Sequence, residues 1–466
     1  MSDEGDDAVD SDTLAADRDD ARDTEALELL RTDLTPVVEA VSEANASAFV
    51  AVGDRFDDEL RYLTRFTGPD RPAALVVVPA DASAGRETGP RAVLCAPALF
   101  AEQAEREFVA AARADEHAER GAFHDGVVRE VQAENVGDHA GERAAAVVEE
   151  LLGEDASTPD TATPDDGTDG PILVPASIPH DAAVYLERAG NRLAATGAVA
   201  AARSRKTDAE IDRLRRVQRA TAAGMRRAES VLAETVLAES ESAVASGDPD
   251  ETTPRAPLRW DGSSLTTERL RREVNAVLAR EGVRDAGNTV IGAGPSAADL
   301  HYVGDDPIRP GETVLLDVSP RGPDGYYGDM TRTFVVDGDG GWERRAYVAV
   351  EAAREAALAE IEPGVTAATV HGEAAAELAA YGFDPNAEEG QAGFTHGTGH
   401  GVGVSLHESP SLSSGTELRP GHVVTVEPGV YDPEMGGVRL EDLIAVTDDG
   451  CEILAAYPFE IAPRER

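Results

Sequence analysis

The spacing of apolar residues divides this chain into three parts. Residues 1–25 are acidic and show no apolar period, the composition of a disordered tail. From Thr35-Pro36, an N-cap followed by proline in the first turn, ordered periodicity begins. Helical spacing holds over 36–45, 99–120, 140–154 and 182–190. Short extended runs lie between these stretches, at 48–52, 74–78, 92–96, 126–131 and 172–174. This alternation predicts a layered α/β domain over residues 26–200. An Asp-, Thr- and Pro-rich stretch near 155–170 reads as a surface insertion in it.

Residues 201–466 follow another rhythm. Thr207 and Glu210 form a capping box that opens a long amphipathic helix to about position 240. A Pro- and Asp-containing loop covers 247–263, and a second helix covers 265–280. Strands and a hairpin follow over 289–336. The cycle then repeats, with helices at 342–361 and 366–381 and strands with a second hairpin over about 393–447. Two helix-helix-hairpin blocks imply an α+β fold with an internal pseudo-duplication.

The two hairpins carry the chemistry. Asp317 and Asp329 flank the turn Gly322-Pro323-Asp324-Gly325, and their midpoint is Pro323. Glu427 and Glu441 flank Asp432-Pro433-Glu434-Met435-Gly436-Gly437, and their midpoint is Glu434. Each pair is expected at matching heights on two strands, with Cβ atoms ~5 Å apart. Carboxylates that close repel unless a cation sits between them. His400 lies between the hairpins, in Thr395-His-Gly-Thr-Gly-His400-Gly-Val-Gly. Four carboxylates and an imidazole suit two divalent ions. Oxygen donors dominate and no thiolate is present, which favours Mn²⁺ or Co²⁺ over a structural zinc and leaves Fe²⁺ and catalytic Zn²⁺ open. His396 and His400 are not a zinc-binding helix: two glycines separate them and no glutamate follows the first. The competing reading is a solvated acidic surface, and for Arg439 a structural ion pair with Asp442 or Glu441.

Composition narrows the setting. The 466 residues suffice for two or three domains. Acidic residues number 89 against 42 basic ones, a net charge of -47, and Lys206 is the single lysine. Such a load needs screening, so it reads as surface adaptation to a high-salt cytoplasm, and it argues against nucleic acid as a partner. Cys95 and Cys451 are too few for a disulfide framework, and Cys95 sits in an apolar run that reads as core. No apolar run reaches membrane-spanning length, and the acidic start is unlike a signal peptide, so a soluble, cytoplasmic protein is expected.

The motifs Gly-Asp329-Met-Thr-Arg-Thr, Gly-His400-Gly-Val-Gly, His407-Glu-Ser-Pro, Val-Glu427-Pro-Gly and Arg439-Leu-Glu441-Asp occur in one order. In that order they resemble the metallopeptidases that include methionine aminopeptidase, Xaa-Pro aminopeptidase and prolidase, with a pita-bread catalytic domain. The resemblance covers about 200–466. A weaker one, at Leu60-Arg-Tyr-Leu-Thr-Arg-Phe66, links 26–200 to the creatinase-type N-terminal domain. The resemblance over 200–466 implies Asp317, Asp329, His400, Glu427 and Glu441 as ligands of two ions ~3.5–4 Å apart, with a metal-bridging hydroxide as nucleophile. Asp329 and Glu441 would bridge the ions, Asp317 would hold one, and His400 with Glu427 the other. Glu427 would also shuttle the proton, and His301 and His407 would bond the substrate or its oxyanion. One departure stands out. The family usually has Asp-Xaa-Gly at the first ligand, with one residue fewer before the second, whereas here Asp317-Val-Ser319 precedes a longer gap. A register slip of one would turn one ligand away.

His396 and the large N-terminal region resemble the proline-selective branch, where His396 would contact the substrate and Arg439 anchor it. The resemblance therefore implies a peptide substrate with an N-terminal Xaa-Pro bond, and a homodimer. The alternatives are a methionine-aminopeptidase-like specificity, creatinase, which lacks the ligands, and a non-catalytic pita-bread binding protein.

Overall fold

The computed structural model describes residues 29–80, 89–113, 124–134, 138–152, 170–237, 255–388 and 390–465. The tail expected over 1–25 and nearly all of the insertion expected near 155–170 lie outside the described residues.

The first half runs α1 (Thr35–Glu43), β1 (Ala48–Gly53), α2 (Asp58–Thr64), β2 (Ala73–Val78), β3 (Arg91–Pro97), α3 (Ala101–Ala104), β4 (Val128–Glu134), α4 (Ala140–Leu152), β5 (Ile172–Pro175), α5 (His180–Arg188), β6 (Leu193–Thr196) and α6 (Ala198–Ser204). Its strands form one mixed sheet ordered β4-β3-β2-β1-β5-β6. β1 and β2 are buried at every position because both faces of the sheet are covered. Phe49 and Ala51 meet Val37 and Val41 of α1 and Leu60 and Leu63 of α2. Val50 and Val52 meet Val147 of α4 and Leu186 of α5. A strand covered on both faces reads as a continuous apolar run, as these do. Cys95 is fully buried among them. The helix expected over 99–120 is shorter in its described part: α3 continues as a wider-pitched turn over Glu105–Ala110, and 114–120 lie outside the described residues.

The second half runs α7 (Asp208–Ala233), β7 (Arg259–Trp260), β8 (Ser263–Ser264), α8 (Thr267–Arg280), β9 (Thr289–Ala293), β10 (Thr313–Val318), β11 (Met330–Val335), α9 (Trp342–Glu360), α10 (Ala367–Ala380), β12 (Val423–Val426), β13 (Gly429–Asp432), β14 (Gly436–Arg439), β15 (Asp442–Thr447) and β16 (Gly450–Ile453). The Thr207–Glu210 capping box is formed in both directions. α7 ends at Ala233, short of position 240, because Val236 leaves the helix to bridge Arg259 through N···O contacts of 2.9 and 3.0 Å. Thr235 and Val236 are β-branched, which favours the extended choice. Helices α7 and α8 pack on the sheet β11-β10-β9, and α9 and α10 pack on the strands from β12 onward. The helix-helix-sheet unit thus occurs twice. Leu214, Val402 and Leu443 join the core cluster of the first sheet, so apolar packing continues across position 200.

The two hairpins differ in register. Val426 pairs with Asp442 and Gly429 with Arg439, which sets Glu427 opposite Glu441, at matching heights. In the first hairpin Asp317 pairs with Thr331 and Val318 with Met330. Asp329 therefore lies across from Ser319, two positions beyond Asp317, and the turn centres on Asp324 rather than Pro323. The matching heights expected for the aspartates do not occur. The offset is even, so both side chains stay on one face despite the longer gap.

Candidate metal centre

Each element delivers its side chain for a local reason. Asp317 is the last residue but one of β10, and Asp329 immediately precedes β11. Gln218, fully buried on α7, donates to the Asp329 carbonyl at 2.6 Å and accepts from its amide at 2.8 Å. A Cβ on Gly328 would lie 2.4 Å from Thr221 Oγ1, so glycine lets the chain run against α7. The histidine loop is stitched to β12. The His400 amide donates to Thr425 Oγ1 at 3.0 Å, and the Thr425 amide to the His400 carbonyl at 2.8 Å. His400 Nδ1 contacts the Gly401 carbonyl at 3.0 Å. A carbonyl only accepts, so Nδ1 carries a proton, and Nε2 is the nitrogen whose lone pair a metal ion would take. That lone pair faces the carboxylates, 3.4 Å from Glu427 and 3.7 Å from Asp329.

Ligand atoms of Asp329, His400 and Glu441 lie within 4.8 Å of one another. Asp317 and Glu427 line the same cavity of about 380 Å³, with His301, His396, His407 and Arg439. Burial first, then Glu441, Asp317 and Glu427, raise the Asp329 carboxyl well above its ordinary range. Burial and the neighbouring Glu427 and Asp317 do the same to Glu441. Acidic groups so crowded and enclosed want positive charge. Oxygen donors with one imidazole fit divalent ions, so the residues present suit the group that the sequence implies.

The remaining site residues are distributed as follows. His407 stacks edge-on to His400 with centroids 4.3 Å apart, and burial and His400 push it below the ordinary imidazole range. His301 stands exposed at the rim. Arg439 is buried, and its ion-pair partner is Asp317 at 2.6 Å, not the Asp442 or Glu441 of the competing reading. It also donates to Thr331 Oγ1 at 3.1 Å and to the Tyr431 hydroxyl at 2.9 Å. Tyr431 in turn lies 2.7 Å from His396 Nε2, while His396 Nδ1 contacts the Gly397 carbonyl at 2.7 Å. Burial, then Arg439, push His396 down to about 3, so it is a neutral ring at ordinary pH.

Sequence reasoning missed Gln218, Tyr431 and Ser319. Gln218 meets Asp329 only through chain-distant contacts, and Tyr431 shares the second hairpin with Arg439 but lies in no motif that marks it. Ser319 carried a local signal, as the departure from glycine. Its hydroxyl lies 2.9 Å from Asp329 Oδ1 and 3.2 Å from Asp317 Oδ1. Ser319→Ala should weaken metal binding by about tenfold or more, because groups that orient ligands contribute on that scale. Calorimetric titration with Mn²⁺ checks this, and wild-type affinity in the variant would remove Ser319 from the ligand support.

Known proteins resemble this chain in sequence and in fold. The sequence pattern of metallopeptidase family M24 matches residues 212–448. A probable dipeptidase PepE of Mycobacterium bovis is 34% identical over 192 residues, 41% of this chain and 49% of that protein. An Xaa-Pro dipeptidase of Pyrococcus furiosus is 35% identical over 181 residues, 38% of this chain and 50% of that protein. The chain spans about half the length of the curated relatives it matches. Among solved structures, an Xaa-Pro dipeptidase from Bacillus anthracis superposes with TM-score 0.69 at 22% identity, covering 92% of this chain and 98% of that one. That likeness extends the shared fold, α+β with a pita-bread half, over both halves of the chain.

Proposed function

The chain belongs to metallopeptidase family M24, and from that premise we propose that it hydrolyses Xaa-Pro bonds at the N-terminus of peptides or dipeptides. The observation that carries this reading is the convergence of Asp329, His400 and Glu441 within 4.8 Å, beside Asp317 and Glu427 on one cavity. These five residues hold two divalent ions in the proposal, with Mn²⁺ as the first choice over Co²⁺, Fe²⁺ or Zn²⁺. Bound ions supply Lewis acidity and a water acidified towards neutrality. Glu427 takes the attacking water's proton and passes it to the leaving nitrogen. His407 and His301 donate hydrogen bonds to the carbonyl oxygen as charge develops on it. Arg439 holds Asp317 in place and closes one wall of the substrate site.

An Xaa-Pro bond has no N–H to read and a fixed φ, so its recognition falls on shape and on groups beside the bond. His396 is proposed as such a group, reaching the substrate by giving up its bond from Tyr431. His396→Ala should lower kcat/KM for Xaa-Pro substrates by about 1.5–3 kcal/mol at unchanged metal content. An unchanged substrate preference with reduced stability would make it a loop support instead.

We further propose two domains, divided near residue 200, in a homodimeric cytoplasmic enzyme adapted to high salt. Among the described residues no helix is long and apolar enough to cross a membrane. With a net charge of -47, the unfolding midpoint should climb steeply between low and molar KCl as screening relieves repulsion. A midpoint indifferent to KCl would show the charge to be compensated locally. The test of function is a panel of Xaa-Pro dipeptides, Xaa-Pro-Yaa tripeptides and Met-Ala-Yaa peptides, run with Mn²⁺ at high salt. Preferred cleavage of the Met-Ala peptides would overturn the proline assignment, and no cleavage of any would overturn the peptidase reading.

A further inference from the structure

Every lysine or arginine in the chain is arginine except Lys206, and that one ammonium is buried. Its side chain is 2% exposed, and Nζ lies 2.9 Å from Glu408 Oε2. Glu408 is just as enclosed, at 4%, and its other oxygen takes Arg203 Nη2 at 2.6 Å and the Ser405 amide at 2.9 Å. Arg203 lies on α6 and Lys206 in the link before α7, so both cations come from the segment joining the two halves. The chain of contacts continues outward. Ser405 Oγ accepts from Arg203 at 2.5 Å and donates to Asp58 Oδ2 at 2.5 Å, and Asp58 holds Arg321 of the first hairpin at 2.6 Å.

Glu408 directly follows His407, and its backbone closes the histidine loop. The Gly401 amide donates to the Glu408 carbonyl at 3.0 Å, and the Glu408 amide to the Gly401 carbonyl at 2.7 Å. His400 and His407 flank that bridge, which is what sets their rings 4.3 Å apart. A Cβ on Gly403 would sit 2.4 Å from Glu408 Oε2, so glycine there makes room for the carboxylate inside its own loop. Burial opposes ionisation of Glu408, and Lys206 and Arg203 outweigh it, holding the carboxyl below its usual range.

We propose that Glu408, gripped by Lys206 and Arg203, is a positioning residue that holds His407 at its working distance from His400. A buried ion pair is weak evidence of added stability, because desolvation consumes much of the attraction. It does fix geometry, with the compact ammonium of Lys206 on one oxygen of Glu408 and the planar fork of Arg203 on the other. The catalytic role of His407 rests on the proposed function; the grip on its loop rests on the contacts alone.

The experiment has two readouts. In the metal-loaded enzyme, Lys206→Met should lower kcat on an Xaa-Pro dipeptide about 10- to 100-fold, with KM changed far less. In a His407→Ala background the same substitution should cost nothing further, because its effect passes through His407. In the metal-free protein, Lys206→Met should speed hydrogen exchange of the amides of 401–408 about tenfold or more. Lys206→Arg, which keeps the charge, should recover most of both. If Lys206→Met does not fold, Glu408→Gln carries the same readouts. Multiplicative losses in the double variant, or unchanged exchange over 401–408, would overturn the proposal. A wild type that cleaves no Xaa-Pro peptide would overturn the peptidase reading instead, and the exchange readout would still decide the grip.

Discussion

Glu427→Gln is expected to give a folded protein that still gathers metal ligands around its cavity but turns over no Xaa-Pro substrate. The amide matches the carboxylate in size, so the 3.2 Å contact from Thr425 Oγ1 survives. What disappears is the basic oxygen that receives and delivers the proton, a loss of about 10²–10⁴-fold for a positioned general base. In the metal-free protein the same change works in the opposite direction. Burial, with Asp317 nearby, raises the Glu427 carboxyl above its ordinary range, so its charged form is disfavoured in the fold. A carboxyl whose folded pKa is raised loses its proton first in the unfolded chain, so metal-free stability falls as pH rises through that interval. Metal-free Glu427→Gln should therefore melt at or above the wild type near pH 8, and respond less to added metal. Peptidase assays and melting curves with and without Mn²⁺ check both arms. Near wild-type turnover would end the assignment of Glu427 as the proton carrier.

Asp442→Ala should be the most damaging substitution to stability. Asp442 is 1% exposed, with Arg332 at 2.8 Å on one oxygen and Arg354 on the other. Arg332 is itself 1% exposed, and both guanidinium groups stack over Phe459 with 4.1 Å to the ring centroid. Removing the carboxylate leaves two buried cations without their shared anion. Breaking a buried pair from one side costs about 3–5 kcal/mol. That corresponds to a fall in Tm of on the order of 10 °C. The damage should also reach the metal centre, because Arg332 Nη1 holds the Glu441 carbonyl at 2.5 Å. Melting curves and Mn²⁺ titration measure the two effects together, and a Tm equal to the wild type would show that the arginines find other partners.

Arg332 and Asp442 also show where reading along the chain runs out. Residues 110 apart carry no mutual signal, and the local pattern offered Asp442 to Arg439 instead. The structure assigns Asp442 to two other arginines and Arg439 to Asp317, because burial leaves no room for an unpaired charge and the nearest counter-charge in space decides.

Elements and chemistry were legible wherever the information is local. Periodicity located the helices and strands to within a few residues over most of the described chain, since one buried face imposes a repeat of 3.6 or 2. The capping box at Thr207 announced α7, because its two bonds close within four residues. The symmetric spacing of Glu427 and Glu441 about their turn placed them opposite each other, because turn and strands are contiguous. The same reasoning misplaced Asp329. A period of two determines which face a residue takes but not how far a hairpin slides, and the two-residue offset preserves every face. Only the tertiary structure decided that register, with Gln218 of α7 gripping the Asp329 backbone. It alone brought Ser319 between two aspartates, Tyr431 between Arg439 and His396, and the solitary lysine beneath the histidine loop. Ligand types, turns and caps are properties of neighbouring residues, whereas register, charge pairing and support of the site arise from contacts that exist only once the chain has closed on itself.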